Sequence, residues 1–588
     1  MREIVSSKTL VELFAHSVRH HPEAAAVSDD DQRLSYSELD ARSDRLAHRL
    51  VALGVGREDR VAVHLRRGVD VVVAVLGVLK AGAAYLPIDT RYADGRRDYM
   101  ITEGRVRLVI THPDLAADLP DVEVLHYRDE PATGGSLPSP SPSDAACVLY
   151  TSGSTGQPKA IVLEHRQLVA FTLNPALPEM SPDDRTAQVA SISFDPANFE
   201  IWCTLAAGAE LVVLPSIPEL LESDLQRELK RRKITVMLAP AIAINHAVKV
   251  DRDSFAPLRI LHSGGDVLLP SSCRDLLASK FSGRLFNLYG PAETTTACTA
   301  YEVKSVPDDA ESVPIGSAFA GYHLYVLDED FKQVPVGSPG ELYVGGAGVS
   351  RGYLNRPELT ADKFVPDPFA ADGGAMYRTG DRVRDRGDGV LEYLGRVDTQ
   401  VKIRGYRVEP GEVERAICAN SDVREAAVIA VGEPGDKRLV AFLVPAVDTL
   451  SLRELRADLS QRVADFLVPS EFIVLPAMPT DAHGKRDWED LGHTASSRMR
   501  QRPDYVAPRT ETEQYLADLW ERLLTVEHVG VHDDFFVLGG HSLLAVRVRS
   551  LVRKELGVTL KPRAVFESSE LSELAALVDR TREEVLIS

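Results

Sequence analysis

The chain contains 588 residues, of which 44% are apolar and 26% are charged, and its formal net charge is −20. A chain of this length exceeds one hydrophobic core, so we expect about three or four folding units, and its apolar content excludes an intrinsically disordered protein. The strongly negative charge excludes general affinity for nucleic acids, which depends on clustered Lys and Arg.

The cysteines and the apolar runs bear on the cellular compartment. The five cysteines are scattered, with neither the CxxC spacing of a metal site nor the pattern of a disulfide framework. They are typical of reduced thiols, which favours a cytoplasmic protein. The longest apolar run, 71–79, is too short for a membrane-spanning helix, which requires about 20 residues, and no signal-like stretch follows Met1. We therefore expect a protein that does not bind membranes.

Short β-branched runs alternate with helical patterns between residues 60 and 350. The runs are 61–63, 108–110, 210–214, 234–237 and 259–261. Such alternation predicts α/β layers with largely parallel sheets. Within this large domain, the Pro-, Ser- and Gly-rich segment 131–142 predicts a surface loop.

The sequence pattern changes near Asp398, where a compact region begins, and a linker with prolines at 503 and 508 follows it. From Thr510 the chain has helical patterns. Thr510 and Glu513 form a capping box, ahead of an apolar stripe at Leu516, Leu519, Trp520 and Leu523. A second helix is predicted from Ser542 to Gly557, with Leu544, Val548 and Leu551 on its apolar face, and a third contains Leu571, Leu574 and Val578. We predict a small bundle of three helices.

The loop YTSGSTGQPK at 150–159 has glycines and hydroxyls that can surround phosphate oxygens. It is not the P-loop of kinases, because Lys159 follows Pro158 instead of the second glycine of that motif. Alone, such a loop is more often a plain turn. Its interpretation therefore depends on the motifs that follow it.

Three segments in order resemble the ATP-binding motifs of the adenylate-forming enzymes, which activate carboxylates with ATP. They are 150–159, NLYGPAETT at 287–295 and YRTGD at 377–381. The resemblance implies that Tyr289 stacks on adenine, that Glu293 binds Mg²⁺ and that Asp381 accepts hydrogen bonds from the ribose hydroxyls. The implied ATP-binding residues are Thr151, Ser152, Gly153, Ser154, Thr155, Gly156, Lys159, Asn287, Tyr289, Asp381 and Arg396.

Further segments extend this resemblance, namely GELYVGG at 340–346, GRVD at 395–398 and Gly484-Lys485. They imply that Asp398 is a hinge for a small C-terminal subdomain, and that Lys485 places positive charge where negative charge develops during adenylate formation. The implied catalytic residues are Lys485, Glu293, Asp381 and Asp398. The sequence departs from the family pattern at Ala160, Ala292 and His483.

The segment FDPANF at 194–199 resembles the family segment whose aspartate pairs with the α-ammonium group of an amino acid. Because aryl-acid and fatty-acid activating relatives have no such need, Asp195 favours an α-amino acid. Motif alignment implies a pocket of Asp195, Pro196, Phe199, Leu238, His262, Gly264, Leu288, Thr296, Ala297 and Lys485. This lining has no second carboxylate and no Arg, so we expect a neutral substrate side chain.

His262 and Thr296 offer hydrogen bonds in this pocket, and Phe199 narrows it. The combination suits hydroxyphenylglycine or a tyrosine-like residue. An equal alternative is that His262 is a core histidine with internal hydrogen-bond partners.

Ser542 lies in DDFFVLGGHSL at 533–543, which resembles the phosphopantetheine attachment site of a peptidyl carrier protein. Serine is also well suited to cap a helix at this position, and the two roles are compatible. A nucleophile elbow is excluded, because the second glycine of G-x-S-x-G is absent.

Together, the motifs resemble a nonribosomal peptide synthetase module reduced to an adenylation domain and a carrier. The implied fold is a large α/β adenylate-forming domain with layered parallel sheets, then a small α+β C-terminal subdomain and a helical-bundle carrier domain. The predicted boundaries are 1–397 for the core, 398–497 for the subdomain, 498–509 for the linker and 510–588 for the carrier.

The implied reaction forms an aminoacyl adenylate with Mg²⁺ and ATP, and transfers the aminoacyl group to phosphopantetheine on Ser542. The implied partners are a phosphopantetheinyl transferase, a condensation domain or tailoring enzyme that uses the tethered amino acid, and an MbtH-like protein. No condensation unit fits in the sequence, so we expect peptide bond formation on a partner. Two rivals remain, a ligase that releases coenzyme A thioesters and an inactive scaffold. Ser542 argues against the first, and Lys485, Asp381 and Glu293 argue against the second.

Overall fold

The structure is a computed structural model that describes residues 8–116, 119–132, 134–151, 158–222, 224–370, 373–397, 400–403, 406–432, 437–448, 450–480, 486–498, 505–524, 526–540, 542–561 and 564–587. The chain divides into two compact units. Unit 1 contains most of the chain up to Arg407, and unit 2 contains the chain from Val408 onwards together with the short segment Pro218–Asp224.

The helices of the described residues are α1 Leu10–His20, α2 Tyr36–Ala52, α3 Val69–Lys80, α4 Asp94–Glu103, α5 His165–Thr172, α6 (Pro196–Asn198, continued by a π-helical turn Phe199–Cys203 and by Thr204–Ala206), α7 Ile217–Glu222, α8 Leu225–Arg231, α9 Ala241–Val250, α10 Pro270–Leu277, α11 Pro357–Lys363, α12 Pro410–Cys418, α13 Leu452–Arg462, α14 Trp488–Arg498, α15 Glu511–Leu524, α16 Ser542–Leu556, α17 Ala564–Glu567 and α18 Leu571–Ile587.

The strands of the described residues are β1 Ala25–Ser28, β2 Arg33–Ser35, β3 Arg60–His64, β4 Ala84–Pro87, β5 Leu108–Thr111, β6 Glu123–His126, β7 Ala145–Thr151, β8 Lys159–Glu164, β9 Arg185–Gln188, β10 Glu210–Val213, β11 Val236–Pro240, β12 Ile260–Gly264, β13 Arg284–Tyr289, β14 Thr299–Glu302, β15 Ser317–Ala318, β16 Tyr322–Leu327, β17 Pro339–Gly346, β18 Gly352–Tyr353, β19 Phe364–Pro366, β20 Ala375–Asp385, β21 Leu391–Arg396, β22 Val401–Ile403, β23 Tyr406–Val408, β24 Val423–Val431, β25 Arg438–Pro445 and β26 Glu471–Val474.

Two large sheets of unit 1 have parallel centres and antiparallel edges. In the first, with the order β15-β14-β13-β12-β11-β9-β10-β1-β2, the strands from β13 to β1 are parallel. In the second, with the order β18-β8-β7-β4-β3-β5-β6, the strands from β7 to β6 are parallel. The α/β layers predicted from the sequence are therefore confirmed.

A third sheet of unit 1 consists of β16, β17, β19, β20 and β21, and all of its pairings are antiparallel. The sequence pattern predicted largely parallel sheets and did not indicate this antiparallel sheet. Its strands have one partly exposed face, so they lack the continuous apolar runs that indicate buried parallel strands.

The apolar run 71–79 forms the interior of α3, whose residues are all buried except Asp70. This helix packs in the hydrophobic core of unit 1. Among the described residues, no helix is both long and apolar enough to cross a membrane. The described part of the segment 131–142 contains no helix or strand, as predicted.

Unit 2 contains a mixed sheet and a helical bundle. Strand β25 is antiparallel to β24 and parallel to β26, and a buried cluster with Phe442 and Ile473 joins this sheet to Leu491 of α14. The bundle consists of α15, α16, α17 and α18 around a separate core that includes Trp520 and Phe535. The prediction of three helices is wrong, because the short helix α17 contributes Ala564 and Val565 to this core.

Candidate active site

Three residues of the predicted ATP site, on three different strands, meet in unit 1. Tyr289 is the last residue of β13, and Asp381 of β20 pairs in register with Arg396 of β21. The Tyr289 hydroxyl donates to Asp381 Oδ2 at 2.5 Å, and Arg396 Nη1 donates to Asp381 Oδ1 at 2.6 Å. All three side chains are almost entirely buried.

The chemistry of this cluster suits a nucleoside. Burial and the Asp381 carboxylate raise the pKa of Tyr289, so it remains a neutral phenol and hydrogen-bond donor. Each carboxylate oxygen of Asp381 has a second lone pair that can accept a ribose hydroxyl. Lys402 Nζ lies 5.4 Å from the ring centroid of Tyr289 and 5.5 Å from that of Tyr393, which places a cation beside both rings. The sequence motifs did not indicate Lys402 or Tyr393.

Lys159, which was predicted to bind ATP, and Glu293, which was predicted to bind Mg²⁺, form a buried ion pair. Lys159 Nζ, at the start of β8, lies 3.1 Å from Glu293 Oε1. The hydroxyl of Tyr353 bridges them, because it accepts from Lys159 Nζ at 2.9 Å and donates to Glu293 Oε1 at 2.7 Å. Tyr353 was not predicted as a site residue, and its position on β18 next to β8 explains the contact.

The residues present fit ATP and Mg²⁺. Thr151 Oγ1, at the end of β7 and beside the predicted phosphate loop, is buried and has no hydrogen-bond partner among the described residues. Among the residues that the structure describes, no group of three or more His, Cys, Asp or Glu side chains could hold a metal ion by itself. Magnesium typically uses one or two carboxylates together with substrate phosphates. Glu293 is therefore a sufficient protein ligand for a cation that the triphosphate also binds.

Asp195 lies at the N-terminal end of α6 in unit 1, just before Pro196. Its backbone carbonyl accepts a hydrogen bond from Thr296 Oγ1 at 3.1 Å, so the structure brings together the predicted pocket residues Asp195, Pro196 and Thr296. Thr295 and Thr296 have φ angles of 62° and 71°. This left-handed conformation is unfavourable for β-branched residues, and the Thr295 hydroxyl, which donates to the carbonyl of Gly348 at 2.8 Å, helps to hold it.

The apolar wall of the predicted pocket comes from three neighbouring strands and from α6. Leu238 of β11 pairs in register with His262 of β12, and Leu288 follows on β13. Leu238 and Leu288 belong to one buried cluster with Phe199 and Ala297. A Cβ on Gly264 would lie 3.3 Å from the carbonyl oxygen of Leu288, so Gly264 lets the two strands approach at this point.

His262 is completely buried against aromatic rings. Its ring centroid lies 4.6 Å from that of Phe199 and 5.4 Å from that of Phe286. Neither ring nitrogen has a hydrogen-bond partner among the described residues. Burial lowers the pKa of His262 to about 3, so the ring is neutral at physiological pH. The alternative of a core histidine with internal partners is therefore wrong for the described structure.

Glu200 is a buried carboxylate that the sequence motifs did not indicate. It follows Phe199 in the π-helical turn of α6, and its Oε1 accepts from the backbone N–H groups of Val189 and Ala190, each at 3.1 Å. Its Oε2 accepts from Gln188 Nε2 at 3.0 Å. These bonds tie α6 to the end of β9 and so close the loop that leads to Asp195.

We expect the substitution Glu200→Gln to flatten the pH dependence of stability. Burial raises the pKa of Glu200 from 4.5 to about 7, against the opposing effect of its backbone hydrogen bonds. The folded protein thus keeps a proton that the unfolded chain releases, so this contribution to stability is lost as the pH rises from about 4.5 to about 7. The shift corresponds to about 3 kcal/mol.

Thermal melting of both proteins at about pH 5 and about pH 7 tests this expectation. Between the two pH values, the melting temperature of the wild-type protein should fall by more than that of the variant. A constant difference in melting temperature between the two proteins does not affect this comparison. An equal change in both proteins would show that Glu200 does not titrate in this range.

Several predicted residues cannot be placed. Lys485, Asp398 and the loop 152–156 lie outside the described residues.

Two other predicted residues are placed. Asn287 is buried on β13 and donates to the carbonyl of Pro314 at 2.8 Å. Ser542 begins α16, as predicted from the helical pattern.

Three parts of the chain match known protein families. The profile of the AMP-binding enzyme family matches residues 14–354, that of the AMP-binding enzyme C-terminal domain matches 412–485, and that of the phosphopantetheine attachment site matches 514–578. Malpibaldin synthetase from Mortierella alpina is 41% identical over 96% of this chain, and gramicidin S synthase 2 from Brevibacillus brevis is 37% identical over 97%.

The chain spans only 10% and 13% of the lengths of these two relatives. The solved structure of holo-PA1221, described as a nonribosomal peptide synthetase protein with adenylation and carrier domains, superposes with a TM-score of 0.82 at 27% identity, covering 99% of this chain and 98% of that one. The chain therefore belongs to the AMP-binding enzymes, as an adenylation domain joined to a carrier domain of the nonribosomal peptide synthetase type.

Proposed function

We propose that this chain activates a neutral α-amino acid with ATP and loads it onto its own carrier domain. The observation that carries the proposal is the buried cluster of Tyr289, Asp381 and Arg396, which offers a ribose-binding carboxylate in the same unit as Asp195. The family and the carrier domain support amino acid activation and thioester formation. The identity of the amino acid rests on the pocket alone.

In the first step, a carboxylate oxygen of the amino acid attacks the α-phosphorus of ATP. A bond from oxygen to phosphorus forms, and the bond to the departing pyrophosphate breaks. We assign the ribose to Asp381, the adenine to the ring of Tyr289 and the Mg²⁺ that accompanies ATP to Glu293. Lys485 would stabilise the developing negative charge, and Asp398 would be the hinge between the two steps.

Ser542 is the proposed attachment site of phosphopantetheine. When attached, this group supplies a thiol that takes the aminoacyl group from the adenylate as a thioester, while the acyl–phosphate bond breaks and AMP leaves. The proposal requires a phosphopantetheinyl transferase for the attachment, and a condensation domain or tailoring enzyme to use the loaded amino acid. An MbtH-like protein is a further proposed partner.

The pocket supports a substrate side chain that is neutral and forms hydrogen bonds. A charged side chain would be buried beside Leu238, Phe199 and Leu288 without an opposite charge, which is costly. The ring nitrogens of His262 in this wall have no hydrogen-bond partner within the part of the chain that the structure describes. A buried polar group without a partner costs about 1–3 kcal/mol. A substrate hydroxyl would satisfy it, so we propose a phenolic side chain such as that of hydroxyphenylglycine or tyrosine.

The test is intact-protein mass after two treatments. Incubation with coenzyme A and a phosphopantetheinyl transferase should add one phosphopantetheine group. Mg²⁺, ATP and a mixture of amino acids should then add one aminoacyl increment, whose mass identifies the substrate. No phosphopantetheine adduct would contradict the carrier role and favour a coenzyme A ligase, whereas an adduct without an aminoacyl increment would favour an inactive scaffold.

A further inference from the structure

Two arginines of the small mixed-sheet domain in unit 2 contact the carrier bundle. Arg438, the first residue of β25, donates from Nη1 to the backbone carbonyls of Phe536 at 2.6 Å and Val537 at 3.3 Å. Arg456, on α13, places its guanidinium 5.9 Å from the ring centroid of Phe536 and 5.0 Å from that of Phe472. Both arginines therefore reach the carrier segment just before Ser542.

The carrier segment is fixed by its own hydrogen bonds. Asp534 Oδ1 accepts from the backbone N–H of Phe536 at 2.8 Å and from that of Val537 at 3.1 Å. Asp534 Oδ2 accepts from the hydroxyl of Ser569 at 2.5 Å, which ties the segment to the residues before α18. Asp534 therefore takes both N–H groups. The carbonyl of Phe536 accepts from the N–H of Gly539 at 3.2 Å as well as from Arg438, and the carbonyl of Val537 accepts from Arg438.

Charge favours this contact, against the cost of burying a guanidinium. Burial lowers the pKa of Arg456, and the negative charge of Asp534 acts in the opposite direction. A guanidinium over an aromatic face gains further stabilisation when it is shielded from water. Arg456 Nη2 also donates to the carbonyl of Ser470 at 3.1 Å, which positions the side chain within its own domain before it meets Phe536.

We propose that Arg438 and Arg456 form the docking surface on which the chain's own carrier domain is held, through segment 534–537, while its serine is loaded. Arg438 binds main-chain carbonyls, so its part of the contact depends on the shape of the turn and not on particular side chains. This inference rests on the proposed function, since loading requires an activated amino acid.

The first test compares two half-reactions in the full-length chain with Arg438→Ala. A hydrogen bond to a charged group is worth about 1.5–3 kcal/mol, so aminoacyl loading of Ser542 should slow by about 10- to 100-fold. Amino-acid-dependent pyrophosphate exchange, which needs no carrier, should stay at the wild-type rate. The control is Arg453→Ala. Arg453 is an exposed arginine on α13, one turn before Arg456, and its substitution should change neither the loading rate nor the rate of pyrophosphate exchange.

The conservative variant Arg438→Lys separates docking from misfolding. It keeps the positive charge and one donor, and should recover part of the loading rate. Loading at the wild-type rate by Arg438→Ala would overturn the proposal, as would an equal loss of pyrophosphate exchange and loading.

The second test does not depend on any activity. Hydrogen–deuterium exchange on the full-length chain without phosphopantetheine should show faster exchange of the amides of 535–538 in Arg438→Ala than in the wild-type protein or Arg453→Ala. Equal protection in all three proteins would overturn the docking proposal. A wild-type chain with protected amides but no pyrophosphate exchange would instead contradict the proposed function and leave the docking surface supported.

Discussion

The substitution Ser542→Ala is expected to abolish aminoacyl loading completely and to leave pyrophosphate exchange at the wild-type rate. Phosphopantetheine is joined through the serine hydroxyl, and alanine has no oxygen to form that bond. In the proposed reaction, adenylate formation uses Tyr289 and Asp381 of unit 1 together with Lys485, and it does not involve α16. Intact-protein mass and isotope exchange between pyrophosphate and ATP measure the two effects on the same preparation.

The matched control is Ser550→Ala, a serine of the same helix two turns further on. It should accept phosphopantetheine and the amino acid as the wild-type protein does. Residual mass adducts on the Ser542→Ala protein would show that a different residue is modified. Loss of pyrophosphate exchange in that protein would show that the carrier domain is needed for activation, contrary to our proposal.

The substitution Asp195→Ala is expected to cause a large loss of amino acid activation, larger than that of any other substitution considered above. Removing one partner of a buried charge pair leaves the ammonium group of the substrate without compensation, at a cost of about 2–5 kcal/mol. That corresponds to a loss of about 30-fold to several thousand-fold in kcat/KM for the amino acid. The KM for ATP should change little, because the proposed nucleoside-binding residues lie on β13, β20 and β21, whereas Asp195 lies at the start of α6.

The substitution Asp183→Ala is the control, since Asp183 is an exposed carboxylate in the turn before β9. It should leave both Michaelis constants unchanged. Pyrophosphate exchange measured over a range of amino acid and ATP concentrations separates the two effects. Normal turnover by Asp195→Ala would show that another group binds the ammonium, and equal losses for both substrates would indicate general misfolding.

Local sequence signals predicted the carrier helices well. The capping box at α15 is present, since the N–H of Glu513 donates to Thr510 Oγ1 at 3.1 Å, and Gly557 follows the end of α16 with a φ of 71°. Helix α17 was missed because its four residues, Ala564–Glu567, are too short to show a period. The strand predicted at 234–237 is instead β11 at Val236–Pro240, because pairing with β12 fixes its register.

The site could be predicted only where a motif contains the residue. Tyr289, Asp381 and Asp195 each lie in a recognisable segment, and the structure places Tyr289 at the end of β13, Asp381 within β20 and Asp195 at the start of α6. Tyr353 could not be predicted, because its partner Lys159 is 194 residues away in sequence and only the pairing of β18 with β8 brings them together. Glu200 was missed for a related reason, since two of its partners are backbone N–H groups that carry no sequence signal and the third, Gln188, is 12 residues away in sequence.

The division of the chain at Arg407 and Val408 bears on how such modules are recombined. A chimera joined in the linker before Thr510 would combine the carrier of one protein with β25 and α13 of another. The proposed contact would then require that the foreign carrier has a turn of the same shape opposite Arg438. A junction at the boundary between the units would transfer donor and acceptor of that contact together. Engineered hybrids should therefore exchange residues 408–588 as a single cassette.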